Sequence, residues 1–113
     1  MKQIQAVVRS EKLDAVKDAL VVAGINGITV IPVQGFGKQM GHVEVYRGVK
    51  LEARLLPKVM ITTVVSDAAV DGVVAAIQAA ARTGEIGDGK IIITTVDNSI
   101  RIRTGETGDA TLV

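Results

Sequence analysis

Two rhythms of apolar residues divide this chain, and each occurs twice. Residues 4–8 (IQAVV) form a short, β-branched apolar run that predicts a strand. Beyond Ser10, the apolar residues Leu13, Val16, Leu20 and Val21 recur at helical spacing. Ser10 is placed to cap that helix, and Glu11 and Asp14 sit near its positive end. Gly24 offers the left-handed conformation that ends it. Residues 27–34 (GITVIPVQ) return to strand composition, where Pro32 removes a ladder donor and so favours a sheet edge or end.

The order then repeats. Residues 58–65 (KVMITTVV) predict a strand, and Ser66 or Asp67 caps a helix over about 68–82. That helix carries Val70, Val73, Val74, Ile77 and Ala81 on one side. Gly84, Gly87 and Gly89 break it, and residues 90–96 (KIIITTV) predict a further strand. Strand, helix, strand, twice over, implies an α+β, ferredoxin-like βαβ-βαβ sandwich with an antiparallel sheet. The right-handed crossover rule leaves few alternatives.

In that fold the second and third strands are neighbours, normally joined by a short hairpin. Here about 36–56 intervenes, with Gly37, Gly41 and Gly48 inside it and the basic residues Lys38, Arg47, Lys50 and Arg54, followed by Lys58. Loops of this length in a compact domain are uncommon and are usually functional or disordered. A tolerated insertion is the plainer reading of this one, since loop-closure entropy grows slowly with length. It also holds Phe36, His42 and Tyr46, the only Phe, His and Tyr of the chain.

Composition narrows the chemistry. The 113 residues suit a single domain, 1–113, and 13 basic against 12 acidic side chains leave a net charge of +1. A general magnet for nucleic acid or anionic membrane is more basic than this. Aromatic residues are 2% of the chain, which removes base stacking as a recognition mode. The absence of cysteine excludes disulfides, thiolate nucleophiles and cysteine-ligated zinc. His42 stands alone, without an orienting partner for general-base work, so an enzyme is not expected. No apolar run is long enough for a membrane span or a signal-peptide core, and a cytoplasmic location is the expectation.

Two further segments point to phosphate. In TGEIGDGK (83–90), Gly84 is followed by four residues and then Gly89-Lys90, most of a phosphate-loop pattern. Glycines let backbone N–H groups close on phosphate oxygens, and lysine adds a mobile charge. Ile91 stands where a magnesium-binding hydroxyl belongs, and a strand follows instead of a helix, so the hydrolytic equipment is missing. A glycine-rich turn from helix to strand gives the same pattern without any ligand. In Arg101-Ile102-Arg103, an extended backbone puts both guanidinium groups on one side, suited to bidentate phosphate contacts. A solvated terminal strand, with Glu106 and Asp109 balancing charge, is the plainer reading.

The segments GITV (27–30), GFGKQMGHVEVYRG (35–48), LPKV (56–59), ARTGEIGDGKI (81–91) and IRIRTGE (100–106) are similar to those of the PII signal-transduction proteins, in the same order along the chain. The resemblance implies a homotrimer with an ATP or ADP site in each cleft between subunits. It implies that Gly87, Asp88, Gly89 and Lys90 wrap the phosphates, and that Arg101 and Arg103 reach them across the cleft. Thr29 and Val64 are implied in the adenine pocket, and Gly35, Gly37, Lys38 and Gln39 close over the phosphates. With magnesium and ATP, many relatives bind 2-oxoglutarate. Gln39 then contributes to the metal, Lys58 pairs with the distal carboxylate, and Gly41 belongs to the same site. His42, Tyr46 and Arg47 fall in the loop that meets a partner: an ammonium channel, another transporter, a metabolic enzyme or a regulator. The resemblance also allows recruitment of such a cytoplasmic regulator to the membrane through a transporter partner.

Departures from the family pattern sharpen these expectations. Leu51 occupies the position of the uridylylated tyrosine and Val49 that of the phosphorylated serine, so neither modification is expected there. Thr62 replaces a common acidic residue near the ribose, Met40 a common lysine, and Lys38 the usual arginine, without its planar bidentate geometry. VKLEARLL (49–56) departs furthest. An ATP/ADP energy sensor that ignores 2-oxoglutarate and serves a different partner is the alternative implied.

Overall fold

The computed structural model describes residues 1–36, 45–46, 49–50 and 55–113. Its central sheet has four strands: β1 (Lys2–Arg9), β2 (Thr29–Gly35), β5 (Leu56–Val65) and β6 (Lys90–Thr95). Their spatial order is β2-β5-β1-β6, with every neighbouring pair antiparallel. The helices α1 (Leu13–Val22) and α2 (Val70–Ala81) form the crossovers, so the ferredoxin-like arrangement is observed. Within the long connection, two short strands, β3 (Val45–Tyr46) and β4 (Val49–Lys50), pair with each other. The apolar periodicity of the sequence gave no sign of them.

Alternation along the strands decides which side is dry. Ile4, Ala6 and Val8 on β1, with Val59, Ile61 and Val65 on β5, are buried against the helices. They meet Val16 and Leu20 of α1 and Val73, Ile77 and Ala81 of α2. Residues between them point to the opposite face, because successive side chains of a strand alternate. Among the described residues no layer covers that face. Val7 and Met60 there stay half-buried, and Ile31 and Ile92 on the edge strands are exposed. Pro32 lies on β2, an edge strand, as its missing donor demands.

The helix ends differ from expectation on one side only. Ser10 does not cap α1: residues Ser10–Lys12 make a 3-10 turn, and α1 begins at Leu13 without a side-chain cap. Likewise Asp67–Ala69 form a 3-10 turn before α2, and neither Ser66 nor Asp67 makes a cap hydrogen bond. The tighter i→i+3 turns satisfy amide groups that a side chain was expected to take. At the other end of α1, Gly24 has φ 86° and its N–H bonds the Val21 carbonyl, while the Ile25 N–H bonds that of Leu20. This is a Schellman stop, and Ile25 packs back on the core as that motif requires.

The buried Thr63 is the polar exception on the helix side. Its hydroxyl donates to the Gly27 carbonyl at 2.8 Å, tying β5 to the segment entering β2.

Candidate functional site

The turn between α2 and β6 is built around one carboxylate. Asp88 Oδ2 accepts from the N–H groups of Thr83 at 2.8 Å and Gly84 at 2.9 Å. Its Oδ1 accepts from the Thr83 hydroxyl and from Arg9 Nε at 3.2 Å. The Thr83 hydroxyl, with its N–H and that of Gly84, and the Arg9 guanidinium hold this carboxyl far below the usual carboxylate range, against the opposing pull of desolvation. Two cations at adjacent strand ends hold the next carbonyls. Arg9 Nη2 donates to Ile86 O at 2.9 Å, and Lys58 Nζ donates to Gly87 O at 2.7 Å. Arg9 and Lys58 are register partners on β1 and β5, which places their side chains together.

Glycine is required in this turn. Gly84, Gly87 and Gly89 have φ of 89°, 107° and 96°. At Gly89 a Cβ would lie 1.7 Å from the Val7 carbonyl oxygen, so the turn presses directly on the backbone of β1. The strand that follows, not a helix, matches the sequence reading.

Pairing brings several expected site residues onto the open face of the sheet. Thr29 pairs with Thr62, two residues from Val64 on β5; Lys90 pairs with Val7, and Lys58 with Arg9. Gly35 closes β2 beside Leu56. Gly37, Lys38, Gln39, Gly41, His42 and Arg47 lie outside the described residues. Tyr46 lies in β3, opposite Val49 of β4.

The extended reading of Arg101–Arg103 is corrected. Residues 102–104 are a turn, closed by the Gly105 N–H on the Arg101 carbonyl at 2.7 Å and flanked by the Ile100–Thr107 bridge. Glycines at 105 and 108 with φ of 75° and 69° let the chain fold back, so the alternation that would align two arginines does not apply. Arg101 instead pairs with Glu106 at 3.0 Å and donates to the Ala110 carbonyl at 3.1 Å. Arg103 and Lys90 are exposed and enter no ion pair among the described residues.

The two phosphate signals therefore do not meet within one chain. The glycine turn lies at the Arg9 end of β1, and the arginine turn follows the Lys2 end. The six residues of β6 between them span about 16 Å. Beside the arginine turn is a crevice of about 520 Å³ lined in part by Gly27, Val64, Ser99 and Thr111. Sequence reasoning missed Thr83 and Arg9. A threonine five residues before an aspartate at a glycine turn was a readable local signal for the first. Arg9 is distant in sequence and joins the turn only through strand register.

A four-stranded antiparallel sheet with two crossover helices, a long β2–β5 connection and a glycine turn feeding β6 defines a small α+β protein of the ferredoxin-like class. Comparison with known proteins narrows this. The model of the family "Nitrogen regulatory protein P-II" matches residues 1–106. The nitrogen regulatory protein P-II of Mesorhizobium japonicum is 53% identical over 108 residues, 96% of each chain. That of Rhodobacter capsulatus is 52% identical over 109 residues, 96% of this chain and 97% of its own. That of Rhizobium etli is 47% identical over 112 residues, 99% of this chain and all of its own. The chain belongs to the nitrogen regulatory protein P-II family.

Proposed function

We propose that the chain is a single-domain, non-enzymatic regulator of nitrogen metabolism or transport. It assembles as a homotrimer, binds ATP or ADP in the clefts between subunits and acts in the cytoplasm through its long loop. The observation that carries this reading is the separation just described. The glycine turn with Lys90 and the arginine turn with Arg103 stand at opposite ends of one sheet, so a cradle using both needs two chains. The sheet face that the described residues leave open, with Val7, Met60, Ile31 and Ile92, supports association through that side.

In the assembled site, Gly87, Asp88, Gly89 and Lys90 come from one subunit and Arg101 and Arg103 from its neighbour. Arg101 is freed for phosphate by exchanging its contact with Glu106. Thr29 and Val64 serve the adenine, and Gly35, Gly37, Lys38 and Gln39 close the phosphate side. The positive-φ glycines and the exposed Lys90 fit an anionic polyphosphate. Magnesium arrives with ATP, and Gln39 completes its oxygen shell, the coordination this hard cation prefers. 2-Oxoglutarate joins through Gln39, Gly41 and Lys58. His42, Tyr46 and Arg47 meet the partner, an ammonium channel, another transporter, a metabolic enzyme or a regulator, with neither nucleic acid nor membrane insertion involved. Among the described residues no helix is long and apolar enough to cross a membrane.

Calorimetric titration of the assembled protein with ATP and ADP, beside light scattering for its mass, tests the reading. Micromolar binding of either nucleotide to a trimer is the expected result; binding of neither overturns it. The energy-sensor alternative draws on one observation: Lys58 is engaged by Gly87 O at 2.7 Å, so a keto-acid carboxylate has to displace that contact. If the displacement is too costly, 2-oxoglutarate leaves ATP affinity unchanged in magnesium, and that result selects the alternative.

A further inference from the structure

We propose that Arg9 is the positioning residue of the phosphate turn, aiming its amides at an anion through the Asp88 carboxylate and the Ile86 carbonyl. The inference rests on the nucleotide reading above.

The four contacts at Asp88 come from Arg9, the Thr83 hydroxyl and the N–H groups of Thr83 and Gly84, so its carboxylate is turned into the protein. A carboxylate facing the ligand would repel phosphate; one facing Arg9 is neutralised and becomes the post around which the turn closes. The second Arg9 contact sets direction. Every peptide here is trans, so the N–H of Gly87 points opposite to the Ile86 carbonyl, and the N–H of Asp88 opposite to that of Gly87. Arg9 Nη2 holds the first carbonyl at 2.9 Å and Lys58 Nζ the second at 2.7 Å. Both amides are therefore turned away from the two cations. The guanidinium is suited to this task, since its fixed fork reaches a carboxylate and a carbonyl at once, which one ammonium group cannot copy. Burial supports a fixed geometry: the side chains of Arg9 and Asp88 are 18% and 23% exposed.

The test is a double-mutant cycle on the full-length assembly, with ATP affinity read by calorimetry and assembly by light scattering. Arg9→Met should weaken ATP about tenfold or more, the scale of a lost hydrogen bond to a charged group. In an Asp88→Asn background the same change should cost clearly less than in the parent, because the carboxylate contact is already gone and only the Ile86 contact is left to lose. Should Arg9→Met fail to assemble, Arg9→Lys carries the same comparison. It keeps the charge and loses the fork, and a loss of roughly threefold, again smaller beside Asp88→Asn, is expected. Unchanged affinity in the single variant overturns the proposal. So does an equal loss in both backgrounds, which would mean that Arg9 does not act through Asp88. If the unaltered protein binds neither nucleotide, the nucleotide reading itself has failed, a result distinct from either of these.

Discussion

Replacing Gly89 by alanine should be among the most damaging one-carbon changes available in this protein. The added Cβ falls 1.7 Å from the Val7 carbonyl oxygen and 2.8 Å from its carbon, and the residue has φ 96°. A left-handed L-residue costs about 1–2 kcal/mol. Val7 cannot retreat, because it pairs with Met60 on one side and Lys90 on the other. The start of β6 must instead lift from β1, at the cost of overpacking, about 1–3 kcal/mol. Together these give roughly 2–5 kcal/mol per protomer, a large part of a typical stability of about 5–15 kcal/mol. Gly72→Ala is the control. Gly72 lies exposed in α2 with no atom within 4 Å of an added Cβ, and the change should stabilise by up to about 1 kcal/mol. Urea unfolding at one fixed protomer concentration reads both, since association shifts apparent stability. A Gly89→Ala variant within about 0.5 kcal/mol of the parent would refute the packing argument.

Three other outcomes follow from the same geometry. Asp88 is depressed in the folded state from an unfolded value of about 3.9. Its stabilisation is therefore fully present above that value and is lost as pH falls through the folded one. In a pH series of urea melts, the gap between the parent and Asp88→Asn should be constant above about pH 5 and narrow below about pH 4. Ile61→Ala removes a side chain that is 2% exposed at the sheet–helix interface and should cost about 2–5 kcal/mol, whereas Val21→Ala, 65% exposed, should stay within about 0.5 kcal/mol by the same melts. Thr63→Val keeps the shape but strands the Gly27 carbonyl, and a loss of about 1–3 kcal/mol is expected by thermal or urea unfolding.

The sequence by itself determined the order of the four sheet strands and two helices, and the stop at Gly24. It likewise determined the apolar side of α2 and, apart from the exposed Val21, of α1, and the restriction of Pro32 to a sheet edge or end. These depend on residues close along the chain: a period of two or 3.6, a missing N–H, a glycine with φ 86°. It also marked the glycine turn, since three glycines and a lysine within seven residues are visible without coordinates. Helix starts were read less well. At Ser10 and Ser66 the side chains were available for capping, yet 3-10 turns precede both helices, a choice that residue type alone does not fix.

What the tertiary structure decided was which groups meet. Arg9 reaches Asp88 across 79 positions because β1 and β6 pair in one register, and a shift of one residue would turn its side chain to the other face. Lys58 reaches Gly87 for the same reason. The arginine pair went the other way: two apart in sequence and expected on one side of an extended segment, Arg101 and Arg103 instead lie at and within a turn that Gly105 permits. Local pattern fixes what each segment is, because backbone geometry acts over a few residues. Which charges share a site depends on strand register and on where the turns send the chain, and both are set by the packing of the whole sheet.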